Sequence, residues 1–371
     1  MTSASLSMNS TARQTPEAMR GGLAALARGR DLTRAVVEAL FDELMAGRCD
    51  DAQIGALLMG LAQKGETIDE IVGAAAAMRR AVVPIQSRHT DLLDTCGTGG
   101  SGIARRNEST AVALCVAACG VRVAKHGNRG ASSPSGSADV LEALGVNVAA
   151  DPGQVGRCLD EVGVGFLFAP RLHPAMKYAV GPRRSLGIRT VFNLLGPLTN
   201  PAGATRQLLG VYDPRRLSDV ARALGALGSH RVIAVHGFLA GQPADENAPP
   251  GIDDLSPEAQ SLAVQWHAGE VTRHVLRPED AGLSPAPLSQ IAGGTPADNA
   301  AALTRLLDGE PGAYRMAVQY SGAMALVAAG EGDIGALREH AVTIGEALDS
   351  GRAKALLAGL IAKSHAQVGD A

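Results

Sequence analysis

The stretch CGTGGSGIARRNEST, Cys96–Thr110, sets four glycines beside two arginines, an Asn, a Ser and a Thr. Glycine clusters mark turns, but missing side chains also let backbone N–H groups close around an anion. Gly97, Gly99, Gly100 and Gly102 can expose such groups, and Asn107, Ser109 and Thr110 stand at the start of the next helix. Free donors and the helix dipole both favour negative charge there. The spacing matches neither a Walker A loop nor GxGxxG. A second stretch, KHGNRGASSPSGSAD, offers Lys125, His126, Asn128, Arg129 and four serines just ahead of a helix. A plain helix cap needs one Ser or Asp, so this density of donors points to a ligand. The third stretch, GIDDLS, places Asp253 and Asp254 side by side. Alone they read as a capped helix start. Beside a phosphate site they suit Mg2+, which takes a few carboxylate oxygens together with water and substrate oxygens. A ligand with several phosphates and a metal accounts for all three stretches.

These loops need elements to hold them. DLLDTCGTGG reads as a short strand running into glycines and then a helix, Ser109 to Cys119. VRVAKHGN is a strand ending in the second loop, and SADVLEALG the helix after it. GVGFLFAP, RQLLGVY, RVIAVHG and LAVQWHAGEV read as further strands, the last less apolar and suited to a sheet edge. Strands alternating with helices predict a mostly parallel α/β sheet whose site lies at the strands' carboxyl ends. Residues Arg20 to Arg80, by contrast, space their apolar side chains by three and four and predict a small all-helical unit. Its breaks fall at AGRCDD and KGET, with Thr67 as an N-cap. The apolar GALLMGLA face serves either as the bundle core or as an interface between chains. Helices return after Pro296, and FLAGQPADENAPPG, Phe238 to Gly251, reads as a mobile loop.

Composition sets the outer bounds. With 371 residues, 46% hydrophobic and only 3% aromatic, the chain can bury a large aliphatic core. A net charge of −3 gives no footprint for nucleic acid and no polybasic membrane patch. Neither a signal peptide nor a bilayer-spanning apolar run is visible, so a cytoplasmic protein is expected. The five cysteines, Cys49, Cys96, Cys115, Cys119 and Cys158, show no zinc or redox spacing and read as small buried hydrophobes.

Together with FLFAPRLHPAMKYAVGPRRSLGIRTVFNLLGPLTNPAG, the loops resemble the anthranilate phosphoribosyltransferase family, from about Arg20 to about Lys363. The patterns KHGNR…SS.SGSAD and R.LG.RT.FN.LGPL.NP are the specific ones. The resemblance implies a small helical domain hinged to a large α/β domain with a mostly parallel sheet, as a homodimer through the small domain. The expected division is a disordered tail over 1–18, a small domain over 19–88 plus about 171–199, and a large domain over 89–170 plus about 200–371. It implies transfer of phosphoribosyl from 5-phosphoribosyl 1-pyrophosphate to anthranilate, with Mg2+. Gly97, Gly100, Asn107, Ser109, Thr110, Lys125, Ser133 and Ser137 would hold the donor. Ser101 and Arg105, in the same loop, are placed with them. Ser109, Asp253 and Asp254 would bind Mg2+, while Asn128, Arg183 and Gly97 would meet anthranilate. No side chain acts as a covalent nucleophile or general base, and Lys125 works by its charge. Partners are thus small molecules.

The sequence departs from the family pattern in one place above all. Where relatives read GTGGDG, then a small hydroxyl, FN and ST, this chain has Ser101 for the acid, Arg105 for the hydroxyl residue and Arg106 for Phe. Glu108 precedes Ser109, Pro134 replaces a common Lys, and Asp254 replaces Glu. The loop gains about two positive charges, and either Arg105 or Arg106 could grip pyrophosphate oxygens directly, or both could point to solvent. A related transferase or nucleoside phosphorylase-like enzyme with another aromatic acceptor, or a binding homologue without turnover, remain the alternatives at this level.

Overall fold

In a computed structural model, residues 17–130 and 133–366 are described. Seven strands form one sheet in the order β3-β2-β1-β4-β5-β6-β7. β1 (Leu93–Gly97), β2 (Val123–Gly127), β3 (Val164–Phe168), β4 (Arg206–Gly210) and β5 (Arg231–Gly237) run parallel. Their residues are nearly all buried, as a sheet covered on both faces requires. LAVQWHAGEV is not one edge strand. It is the heart of a hairpin, β6 (Ser261–His267) and β7 (Glu270–Leu276), which pair antiparallel. Ala268 and Gly269 turn it with φ of 50° and 88°, the backbone that a two-residue hairpin turn demands. β7 is mostly exposed and forms one edge, while β3 forms the other.

β1 has β2 on one side and β4 on the other, so the chain order reverses between β1 and β4. In an open α/β sheet the crevice at such a reversal, outside the carboxyl ends, is where ligands sit. Thr98, just past β1, donates its N–H to the Gly210 carbonyl at 2.8 Å and accepts from Tyr212 N at 2.9 Å through its hydroxyl. The crevice floor is therefore tied across both strands.

Four helices open the described chain: α1 (Glu17–Leu26), α2 (Arg34–Met45), α3 (Asp51–Lys64) and α4 (Ile68–Arg80). The first begins at Glu17, inside the expected tail; the rest of that tail, residues 1–16, lies outside the described residues. Thr67 caps α4 as its sequence predicts, with Glu70 closing the reciprocal hydrogen bond. Glu70 is fully buried, where its oxygens accept from Leu32 N and Lys64 Nζ, each at 2.8 Å. Phe41, Leu44, Leu57, Leu58, Leu61 and Ile71 fill the bundle's core. Ala179, Val191, Phe192 and Leu195 from the Pro- and Gly-flanked segment after β3 pack into the same core, and the Phe41 and Phe192 rings lie 5.7 Å apart. Arg79 fastens the bundle to the sheet side by donating to the carbonyls of Leu198 and Leu227. The Phe238–Gly251 insertion, expected to be a mobile loop, is anchored by the fully buried Phe238 and by Gly251 N, which donates to His236 Nε2.

Candidate active site

The glycine loop leaves β1 at Gly97 and reaches α5 (Glu108–Ala118). Its first half lies against the acidic loop that follows β5. Gly99 N donates to Asp253 Oδ2 at 2.8 Å. A Cβ at Gly97 would approach that same oxygen to 2.8 Å, and one at Gly210 would fall 1.8 Å from the Asp253 carbonyl. The bare backbone at both positions is what lets the three loops meet. At Gly100 φ is +97° and a Cβ would sit 1.8 Å from Arg189 Nη1. Arg189 lies over the Tyr212 ring at 4.7 Å and donates toward the Gly99 carbonyl. The second half of the loop is held from the other side, with Arg106 N donating to Ile291 O and Gly293 N to Ala104 O, each at 3.0 Å.

Lys125, the middle residue of β2, is buried. Its ammonium donates to the Thr95 carbonyl at 2.6 Å and to Ser109 Oγ at 3.2 Å. Burial pushes its pKa down, while Asp94 pulls it back up. Asp94 is itself fully buried, accepting from His126 N at 3.0 Å and Asn200 Nδ2 at 2.8 Å. A lysine ammonium is thus fixed at the N-terminus of α5, with the buried Asp94 favouring its charge. Asn107 links the loops. Its side chain accepts from Asn299 Nδ2 at 2.8 Å and reaches Ser135, while the Tyr314 hydroxyl donates to its carbonyl.

In the second loop Ser133 Oγ donates to the Ser135 carbonyl, and Ser137 Oγ exchanges hydrogen bonds with the Asn128 backbone. Arg129 folds back onto Asp139 and Glu142. The Thr110 hydroxyl is buried without a partner, beside a small void that Ala113, Leu141 and Lys125 also line. Ser101 Oγ turns onto its own loop, accepting from Ile103 N. Arg183 lies on the helix Lys177–Leu186, half-buried, 5.2 Å over the Phe192 ring, with no acidic partner among the described residues. It makes no hydrogen bond to the three loops; Arg189, which the sequence reading passed over, is the arginine of this segment that touches them.

The two loop arginines take neither of their expected positions. Arg105 neither reaches open solvent nor faces the crevice as a free fork. Its guanidinium, buried, bridges Asp253 Oδ1 at 2.8 Å and Asp254 Oδ2 at 2.5 Å. Burial opposes that charge, but Asp254 and Asp253 outweigh it and hold the arginine firmly protonated. Arg106 stacks over Tyr314 at 5.2 Å. Glu108, buried as well, accepts a 2.5 Å hydrogen bond from Ser321 Oγ. Burial and then the Asp254 charge raise its pKa.

Ser109, Asp254 and Ser321 line one small void below the crevice. A serine hydroxyl beside a carboxylate is the hard-oxygen chemistry that Mg2+ takes. The Ser109 side therefore fits the expected ion, while both carboxylates of the acidic pair already carry Arg105.

Two family models match this architecture part for part. Residues 22–82 match the helical bundle domain of the glycosyl transferase family, and residues 89–354 match its a/b domain. That defines a glycosyltransferase with its crevice at the strand reversal. An anthranilate phosphoribosyltransferase of Moorella thermoacetica is 48% identical over 334 residues, 90% of this chain and 95% of that protein. One of Caulobacter vibrioides is 45% identical over 352 residues, 95% of this chain and 99% of the relative. The solved anthranilate phosphoribosyltransferase of Thermus thermophilus superposes with a TM-score of 0.85 at 42% identity, covering 93% of this chain and 99% of that one. The chain belongs to the anthranilate phosphoribosyltransferase family.

Proposed function

We propose that this enzyme transfers the phosphoribosyl group of 5-phosphoribosyl 1-pyrophosphate to the amino group of anthranilate, releasing pyrophosphate, the second step of tryptophan biosynthesis. One observation carries the reading: a buried lysine, a serine at a helix N-terminus and a glycine loop converge at the reversal point of the sheet. The anthranilate nitrogen forms a bond to the anomeric carbon as the bond from that carbon to the pyrophosphate oxygen breaks. Developing charge on the leaving group meets Lys125, the N–H groups of Gly100, Ser101 and Gly102 and the α5 N-terminus, which are fixed before the reaction begins. Asn107, tied to Ser135 and Asn299, keeps the first two loops in register for the donor. The amine must lie in line with the breaking bond. Arg183, lacking a carboxylate of its own, is free to offer its fork to that of anthranilate, with Asn128 and Gly97 beside it. Mg2+, bound through the donor's oxygens and Ser109, would neutralise further pyrophosphate charge.

The enzyme is read as a cytoplasmic homodimer. No helix among the described residues is long and apolar enough to cross a membrane, and the cysteines there are free thiols, as a reducing compartment favours. Met59, in the GALLMGLA stretch, and Val36 are exposed on the helical bundle, which supports pairing through that unit. The direct test mixes pure protein with anthranilate, donor and Mg2+ and follows the loss of anthranilate fluorescence. Loss that needs all three supports transfer. Binding of both substrates without loss at any metal concentration would make the protein a binding homologue.

A further inference from the structure

Arg105 sits where a cation is wanted. Asp253 and Asp254 are adjacent, Asp254 lines the void shared with Ser109, and a divalent ion would be the ordinary means of holding two such carboxylates together. Here one guanidinium does so, one nitrogen to each carboxylate, at 2.8 and 2.5 Å. The backbone fixes this arrangement. Arg105 pairs with Ala292 as an isolated bridge, and a Cβ at Gly293 would fall 2.3 Å from the Arg105 carbonyl, so the loop cannot slide along that segment. Gly99 N holds the other Asp253 oxygen. A buried arginine committed to two carboxylates gains from geometry that its planar fork supplies and a flexible lysine does not. Its remaining nitrogen, Nε, is buried without a partner, so the two acids are the guanidinium's hydrogen-bonding partners.

We propose that Arg105 is a built-in cation at the Asp253–Asp254 pair, taking the place of a divalent ion there. The inference rests on the donor-site reading above and sharpens it. The acidic loop is kept folded against Gly97 and Gly99 before any ligand arrives. Mg2+ then enters only with the donor's pyrophosphate, on the Ser109 side, and the carboxylate pair recruits none. Arg105 acts through the aspartates and is a positioning residue.

The test uses Mn2+ as a spectroscopic probe, read by electron paramagnetic resonance on the whole protein. Without donor, the wild type should retain no Mn2+ at the pair. Arg105→Thr, which leaves the two acids facing each other, should gain one bound Mn2+ per chain, and Asp253→Asn on that background should remove it. Arg105→Lys should keep the pair closed to metal. With donor present, manganese anomalous scattering from wild-type crystals should show an ion beside Ser109 and none between Asp253 and Asp254. Mn2+ at the pair in the wild type, in either state, overturns the proposal. So does an Arg105→Thr protein that folds and gains no ion. Should Arg105→Thr fail to fold, the two wild-type arms still decide. Because the donor-free arm needs no turnover, its outcome stands apart from whether anthranilate is the acceptor.

Discussion

At the scale of single residues, three cations near the crevice are set against carboxylates. Lys125 has Asp94, Arg105 has the acidic pair, and Arg129 has Asp139 and Glu142. Arg183 has only an aromatic face. Arg183→Ala should therefore raise the KM for anthranilate with little change in that for the donor. The loss of one charge-assisted contact is worth about 1.5–3 kcal/mol, and steady-state kinetics with each substrate varied in turn will read it. Equal weakening of both substrates would reassign the acceptor site. A second residue-scale expectation concerns His126 and His173, whose Nε2 atoms lie 3.1 Å apart in the interior. Burial first, and then His173, push His126 down to about 3, and burial pushes His173 down to about 4. Both are neutral when folded. The unfolded chain, with histidines near 6.5, binds more protons below that pH, so the pair's stability is complete above about pH 6.5 and drains away as pH falls toward 4. Denaturant midpoints measured from pH 7 to pH 4.5 should fall more steeply for the wild type than for a His126→Asn, His173→Asn protein. Parallel slopes would mean that the pair does not stay neutral.

Elements explain why these residues meet, and they mark how far the sequence alone could be read. The short stretches that read as strands marked β1 to β5, and the three polar exits followed from them, because a strand's carboxyl end is where such side chains collect. The hairpin β6–β7 escaped the reading because Ala268 carries the positive φ beside Gly269; AG is a weaker turn signal than NG or DG. Arg189 escaped because its role depends on tertiary approach to Gly100, which no spacing reveals. For the same reason the partners of Arg105, 148 and 149 residues away in sequence, were invisible, although the charge excess that called for them was plain. The burial of the Thr110 hydroxyl, next in sequence to Ser109 and lining a void with Leu141, is set by packing that no local spacing reveals. The close approach at Gly210 yields an element-scale prediction. Gly210→Ala puts a methyl 1.8 Å from the Asp253 carbonyl, and backbone must move. Overpacking of this kind costs about 1–3 kcal/mol, and the displaced acidic loop should raise the donor KM while the protein remains folded by circular dichroism. An unchanged donor KM would show that the Asp253 loop does not set the donor site.

For the whole molecule, the helical bundle and the sheet share one apolar cluster through Ala179, Val191 and Phe192, which tie α2 and α4 to the elements beneath the crevice. Phe192 sits under Arg183 and against Phe41 at once, so bundle packing and the expected acceptor arginine are mechanically one unit. Phe41→Ala should cost about 3–5 kcal/mol of stability and lower anthranilate affinity with it, in melts and KM measured on the same preparation. Pairing of two chains through the bundle predicts a dimer by sedimentation velocity at micromolar concentration, and Met59→Glu, at a side chain 43% exposed, should shift it toward monomer. A wild-type monomer would leave Met59 as an ordinary surface residue. Phosphoribosyl transfer to anthranilate at the strand reversal fixes a stoichiometry that one reaction can read. Pyrophosphate release and anthranilate loss should be followed together in one reaction with limiting donor and Mg2+. One pyrophosphate should appear for each anthranilate consumed, with both rates collapsing together in Lys125→Ala. Pyrophosphate released at an undiminished rate without anthranilate, or anthranilate left intact while donor is consumed, would contradict this transfer.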